Sequence, residues 1–255
     1  MRLYVGIDLH SSNSVLVISD ERDRVIYERR LRNDLPLVLA ALEPHRESIE
    51  AIAVESTYNW YWLVDGLMEA GYTVKLVNTM AVKVYEGLKH TDDEHDARHL
   101  AHLLRLGVLP TGYIYPKKDR AVRDLLRKRG QLVRWRTAQI LSIQGMISRN
   151  RGKGIKADDI RRLDEAAIGE ACGGDANRAL AIRSNLTVLR CLDEQIKGLE
   201  RVVLKQARLE PAFKKLMTVD GVGKILAMTV MYEAGGIARF SKVGEFASYA
   251  RCVGS

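Results

Sequence analysis

Three short runs of apolar, β-branched residues come before any helical pattern, and they limit the fold more than any other feature. Residues 3–8 and 13–19 are separated by His10-Ser11-Ser12, and Arg24-Val25-Ile26-Tyr27-Glu28 follows the turn-like Asp20-Glu21-Arg22-Asp23. This spacing predicts a three-stranded antiparallel meander. Residues 34–46 then carry Leu35, Val38, Leu39 and Leu42 at helical spacing, with Asn33 or Asp34 available as the cap. Ala51–Glu55 is a compact buried-strand run. It is followed by a helix with Leu63, Leu67 and Met68, then a strand over Thr73–Val77. A helical segment near 80–88 is expected next, and another over 93–106 with Ala97, Leu100, Ala101, Leu103 and Leu104.

The order β-β-β-α-β-α-β-α is that of a ribonuclease H-like α/β domain. A doubly wound nucleotide-binding sheet would alternate strand and helix from the start. The back half reads as almost entirely helical. No proline interrupts 117–150, where Val122, Leu125, Leu126, Leu132, Val133, Ile140, Ile143 and Ile147 form a stripe that Arg151-Gly152-Lys153-Gly154 ends. A second long helix, expected over 176–209, carries Leu189, Leu192, Ile196, Leu199 and Val203 at alternating steps of three and four. That seam suits an antiparallel hairpin with the first long helix, or a dimer contact, with pairing inside the chain preferred. Pro211 closes the segment. The expected domains are 1–112 (α/β), 113–210 (a basic helical coiled-coil region) and 211–255 (a small helical unit).

A hydrophobic content of 47% in 255 residues is enough for a core, and it argues against disorder. No apolar run approaches the roughly 18–20 residues of a membrane helix. Asp8 interrupts the region a signal peptide would need to keep apolar. Cys172, Cys191 and Cys252 are widely spaced and form no CxxC pair, so free thiols in a reducing cytoplasm are expected.

Charge divides the chain. Residues 1–116 hold 12 Lys/Arg against 17 Asp/Glu, while residues 117–255 hold 28 against 15, within a net charge of +8. Clustered carboxylates call for a cation and a basic half attracts a polyanion, so metal in front and nucleic acid behind is the expectation. The plainer alternative is an ordinary solvated surface.

Four acids carry the chemistry. Asp8 ends the first strand, Glu55 ends the Ala51–Glu55 strand, and Asp93 and Asp96 stand three apart at a helix start, on one face. Strand-end carboxylates on adjacent strands can meet a helix-borne pair at one sheet edge. Four hard oxygen donors there suit Mg2+ or Mn2+. Two such ions clamp the attacking and leaving oxygens of an in-line phosphoryl transfer. Singly, each acid could simply cap a turn or favour a helix dipole, and Asp92 or Glu94 could replace Asp93.

His95, His99 and His102 have ligand spacing on a helix, yet no cysteine or HExxH pattern accompanies them. Contact with a phosphate, or help in proton transfer, is the other reading. Tyr58, Trp60, Tyr61 and Trp62 could stack on bases, but packing of a helix start onto the sheet accounts for most of them.

Between Lys117 and Arg136, nine basic residues (Lys117, Lys118, Arg120, Arg123, Arg127, Lys128, Arg129, Arg134, Arg136) face only Asp119 and Asp124. Such a run suits a phosphate backbone, and 149–162 continues it. Near the end, Val219–Ala227 has the shape of a helix-hairpin-helix turn. Gly221 and Gly223 let a backbone come close, and the amides around Lys224 at the following helix start can hold a phosphate.

These residues resemble the insertion-sequence 110 family of transposases, also called DEDD transposases, over essentially the whole chain. Gly6-Ile7-Asp8, Val54-Glu55-Ser56-Thr57 and the Lys89–Ala97 stretch resemble that family's RuvC-like front domain. Leu216–Gly223, with Phe240 and Phe246–Ala250, is similar to its C-terminal transposase domain. The resemblance implies that Asp8, Glu55, Asp93 and Asp96 form the DEDD tetrad. It implies recombination of donor and target DNA directed by a noncoding bridge RNA, and assembly into dimers or tetramers through a coiled coil. A cytoplasmic, nucleoid-associated protein with no membrane partner is expected.

The resemblance further implies a serine nucleophile in a Ser-Gly or Ser-Asn-Gly context. Ser241, Ser248 and Ser255 do not stand in that context, and the sequence stops about where the stretch should begin. The expectation is therefore a chain lacking that part. A RuvC-like junction nuclease would use the same four acids with water as nucleophile. An ATP-binding sugar kinase or actin-like fold also opens with Gly-Ile-Asp-x-x-x-Ser, but it needs a second glycine-rich phosphate loop, and 51–116 has none. A non-catalytic nucleic-acid-binding scaffold is the third alternative.

Overall fold

The computed structural model describes residues 1–82, 93–207 and 211–252, and the chain divides into two compact units, 1–114 and 115–255. In the first unit, β1 (Leu3–Leu9), β2 (Asn13–Asp20) and β3 (Val25–Arg32) form the meander. They are followed by α1 (Leu35–Leu42), β4 (Ile49–Glu55), α2 (Tyr61–Glu69), β5 (Val74–Val77), α3 (Thr79–Val82) and α4 (Asp93–Leu106). The sheet order is β3-β2-β1-β4-β5, with β1–β2 and β2–β3 antiparallel and β1–β4 and β4–β5 parallel. Strand alternation gives this sheet two different faces. Leu3, Val5, Ile7, Leu9, Ile52 and Val54 pack with Val38 and Leu42 of α1 and Leu63 and Leu67 of α2. On the other face, Val15 and Val17 meet Ala97, and Ala53 meets Leu100 and Leu103, all from α4.

Local chemistry sets the boundaries. Asp34 caps α1, its side chain accepting from the Leu37 amide at 3.3 Å, as the capping rule expects. The third strand is longer than its apolar residues suggest: Arg29–Arg32 continue the ladder opposite Asn13–Leu16. The helix expected near 80–88 is seen as α3 as far as Val82, and the rest lies outside the described residues.

The second unit is helical: α5 (Lys117–Arg151), α6 (Ala157–Arg161), α7 (Glu165–Cys172), α8 (Ala176–Ala207), α9 (Pro211–Leu216), α10 (Lys224–Ala234) and α11 (Val243–Tyr249). At 35 residues α5 is about 50 Å long. It runs antiparallel to α8: Arg129 pairs with Glu200, Arg136 with Asp193, and Asn185 donates to Ser142. Gly152, at φ 66°, takes the left-handed conformation that ends α5 where the glycine-lysine break was expected. One end of the hairpin is closed by Ile160 and Leu163 with Ile168 of α7. At the other end, Met228 and Tyr232 of α10 pack on Val122, Leu126 and Val203.

Candidate functional site

Asp8 and Glu55 occupy adjacent parallel strands. Ile7 pairs with Val54, so the next position in that register sets Asp8 beside Glu55 at the C-terminal edge. Both lie on the face covered by α4, two residues beyond Gly6 and Ala53 respectively. The Asp8 side chain is only 4% exposed, and His10 Nε2 lies 3.2 Å from its Oδ2. The His10 carbonyl accepts from Asn33 Nδ2 at 2.9 Å and Asn59 Nδ2 at 3.0 Å, which fixes the loop after β1.

Glu55 and Asp96 line one cleft of about 80 Å³ with Val77, Thr79, Val82, His99 and Leu100. Asp96 is delivered there by α4, whose seat on the sheet is tightly set. A Cβ on Gly6 would stand 2.0 Å from the Ala97 carbonyl oxygen, so only glycine allows this approach. On its outer side, α4 is clamped to the meander by two bidentate pairs. Arg98 donates to Glu28 at 2.6 and 2.8 Å, and Arg105 donates to Asp23 at 2.7 and 2.5 Å. Partial burial pushes the Asp23 carboxyl up, but the hydrogen bonds from Arg105 and His102 outweigh this and hold it below the usual carboxylate range.

The three histidines part company. His95 and His99 stack with centroids 6.4 Å apart, while His102 Nδ1 lies 3.0 Å from Asp23. Among the described residues no three His, Cys, Asp or Glu side chains converge into a metal-holding group, and the three-histidine zinc reading goes with that. Asp8, Glu55 and Asp96 also form no such closed cluster, and the Asp93 carboxylate lies outside the described side chains, though its backbone begins α4. An open edge of this kind still fits magnesium. That ion keeps several waters and is held by one or two carboxylates together with substrate phosphates, not by an all-protein cage.

The basic run of α5 is less available than its sequence suggests. Arg120 is buried, and its Nε donates to the Tyr115 carbonyl at 2.7 Å, so it leaves the expected phosphate-facing set. Arg123 lies over the Tyr115 ring and pairs with Glu233 at 3.1 Å, and Arg127 donates to the same carboxylate at 2.6 and 2.9 Å. Burial raises the Glu233 carboxyl, yet these two arginines bring it below its ordinary value. Lys117, Lys118, Lys128 and Arg134 are exposed. Gly221 (φ 83°) lies in the turn between α9 and α10, and Gly223 precedes Lys224 at the start of α10. A Cβ at either glycine would meet nothing within 4 Å. Thr79 and the Asp23–Arg105 and Glu28–Arg98 clamps carried no sequence signal of their own. The one available hint was His10, two residues past Asp8.

The sheet order and the acidic strand ends define a ribonuclease H-like α/β domain with carboxylates at the C-terminal edge of its parallel strands. Residues 5–149 match the DEDD transposase family of IS110, described as "Transposase", and residues 213–253 match "Transposase IS116/IS110/IS902 family". The chain belongs to the IS110 family of transposases. It is 27% identical over 260 residues to a "Probable family 20 transposase" of Pseudomonas aeruginosa, covering 96% of this chain and 72% of that protein. It is 24% identical over 249 residues to the "Transposase for insertion sequence element IS1111A" of Coxiella burnetii, covering 96% and 66%. Among solved structures, Thermus thermophilus RuvC in complex with a Holliday junction substrate aligns over 44% of this chain and 100% of that one, at 18% identity and a TM-score of 0.35. Among the described residues, no helix is long and apolar enough to cross a membrane.

Proposed function

We propose that this chain carries the metal-dependent strand-cleaving and exchanging centre of an insertion-sequence transposase, acting on donor and target DNA under the direction of a noncoding bridge RNA. The observation that carries the reading is the pairing of Asp8 and Glu55 on adjacent strand ends, with Asp96 across the Glu55 cleft. Asp8, Glu55, Asp96 and Asp93 would hold Mg2+ or Mn2+. Bound there, the ion supplies Lewis-acid activation of a hydroxyl and neutralises charge at a phosphate. The chain's own residues do the positioning. His10 orients the Asp8 carboxylate, the Gly6–Ala97 contact sets the height of α4, and the two arginine clamps fix its direction. Lys117, Lys118, Lys128 and Arg134, with the Gly221–Lys224 turn acting as a helix-hairpin-helix element, bind DNA or RNA phosphates. The long helices support a coiled-coil assembly into dimers or tetramers, and the protein works in the cytoplasm on the nucleoid.

The test is duplex DNA binding by the full chain with and without Mg2+. The ion should strengthen binding by the wild type and leave Glu55→Gln unchanged. An equal response in both would favour the scaffold reading, in which the carboxylates only shape the fold.

A further inference from the structure

The paired register between the two acid-bearing strands runs as far as Ile7 and Val54 and ends one residue short of Asp8 and Glu55. Past that point the strands turn into separate loops, and side chains join them. After β4, the Thr57 amide donates to the Glu55 carbonyl at 3.0 Å, and the Thr57 hydroxyl donates to Asn59 Oδ1 at 2.8 Å. With its oxygen taken, Asn59 turns Nδ2 to the His10 carbonyl, 3.0 Å away and two residues past Asp8. His10 Nε2 closes the circuit at 3.2 Å from Asp8 Oδ2. A polar chain thus leads from Glu55 to Asp8 through Thr57, Asn59 and His10.

Asparagines at strand ends often do no more than satisfy a turn carbonyl. Asn33 has that character here. It gives Nδ2 to the same His10 carbonyl at 2.9 Å, but it follows β3, which carries no acid of the site. Among the described residues its buried Oδ1 has no hydrogen-bond partner. Asn59 differs on both counts. Its amide is held at both ends, and it stands four residues past Glu55 on the loop that β4 feeds. A carbonyl oxygen has two lone pairs, so the two asparagines together fill that of His10. Both hold the loop after β1, whereas the link to β4 passes through Asn59.

We propose that Asn59, oriented by Thr57, is a positioning residue that sets the separation of the Asp8 and Glu55 carboxylates and so tunes the edge to a small, geometrically strict cation. Mg2+ demands near-octahedral oxygens at about 2.0–2.1 Å, whereas Ca2+ accepts a looser shell at about 2.3–2.6 Å. A fixed spacing favours the first ion. Letting the end of β4 drift from that of β1 costs Mg2+ binding more than Ca2+ binding. This rests on Asp8 and Glu55 being the metal edge.

The test titrates the full chain with Mg2+ and with Ca2+ by calorimetry, in the presence of a short DNA duplex, and records a thermal melt for each protein. Loss of a hydrogen bond that orients a metal ligand costs about 10–100-fold in metal affinity. Asn59→Ala should therefore bind Mg2+ about tenfold more weakly or worse, with a smaller loss for Ca2+, so that the Mg2+/Ca2+ affinity ratio falls. Thr57→Val, which keeps the shape and loses the hydroxyl, should lower the ratio in the same direction, and Thr57→Ser should restore it. Asn33→Ala, which removes a donor from the same carbonyl, should melt lower yet keep the wild-type ratio. An unchanged ratio in Asn59→Ala would overturn the positioning role. So would an equal fall in Asn33→Ala, which marks general loosening of the loop. If Asn59→Ala does not fold, Thr57→Val decides by the same measure. A wild type that binds neither ion, or binding that survives Asp8→Ala, would sink the metal edge and the positioning role with it. That outcome is distinct from Asp8-dependent binding with an unmoved ratio, which removes the positioning role alone.

Discussion

Gly6 lies so close to the Ala97 carbonyl that a Cβ added to it would stand 2.0 Å from the oxygen and 2.8 Å from the Ala101 nitrogen. Both obstacles are helix backbone, which cannot turn aside as a flexible side chain would. The contact fixes how closely α4 sits on β1, and Asp96 is the residue just before Ala97. Gly6→Ala should therefore lift the helix. Overpacking of this kind costs about 1–3 kcal/mol, seen as a lower unfolding midpoint in denaturant, and metal affinity should fall with it. An unchanged midpoint would mean the helix can slide without penalty.

Asp20 gives a pH-dependent prediction. Its burial alone would raise its pKa, but the amides of Arg24 and Arg22, at 2.9 and 2.8 Å, and the Arg24 guanidinium hold it at about 2 against an ordinary 3.8. A carboxylate depressed in the folded state contributes stability that is complete above the unfolded value and fades as pH falls through the folded one. Thermal melts of the wild type should thus lose stability between about pH 4 and 2 more steeply than those of Asp20→Asn. Parallel curves would contradict the assignment.

Glu233 gathers Arg123 and Arg127 from α5 onto α10. Glu233→Ala leaves two guanidinium groups without their shared carboxylate. The expected result is a loss of about 1–3 kcal/mol together with tighter, more salt-sensitive DNA binding, because two cations are released to phosphates. Denaturant unfolding and binding isotherms on the same variant read the two effects separately.

Lys118→Ala and Arg134→Ala should each reduce the salt slope of DNA binding by about 0.9 with little change in stability. Arg120→Ala should do the reverse, since its buried side chain serves the Tyr115 carbonyl. A fall in slope from Arg120→Ala would return that residue to the phosphate surface.

The meander, the parallel strands and both long helices were legible because their apolar residues repeat at the spacing their surroundings require. Asp8 and Glu55 were legible for the same reason, as polar ends to apolar strands. The second half of β3 was not, because Arg29, Arg30 and Arg32 satisfy a backbone ladder without any apolar pattern. Nor could local charge counting reveal that α5 arginines are neutralised from far along the chain, by Asp193, Glu200 and Glu233. His102 sits at ligand spacing on its helix, yet its partner, Asp23, comes from a turn roughly eighty residues earlier.

The central claim is that the edge formed by Asp8, Glu55 and Asp96 holds a divalent ion. A calorimetric Mg2+ or Mn2+ titration of the full chain, with Asp8→Ala and Asp96→Ala alongside, tests it most directly. Each protein is measured with and without a short DNA duplex, since phosphate oxygens complete such a site. The account predicts binding by the wild type, strengthened by DNA, that disappears in both variants while their folds persist. Absence of binding in either condition, or binding that survives both substitutions, would contradict it.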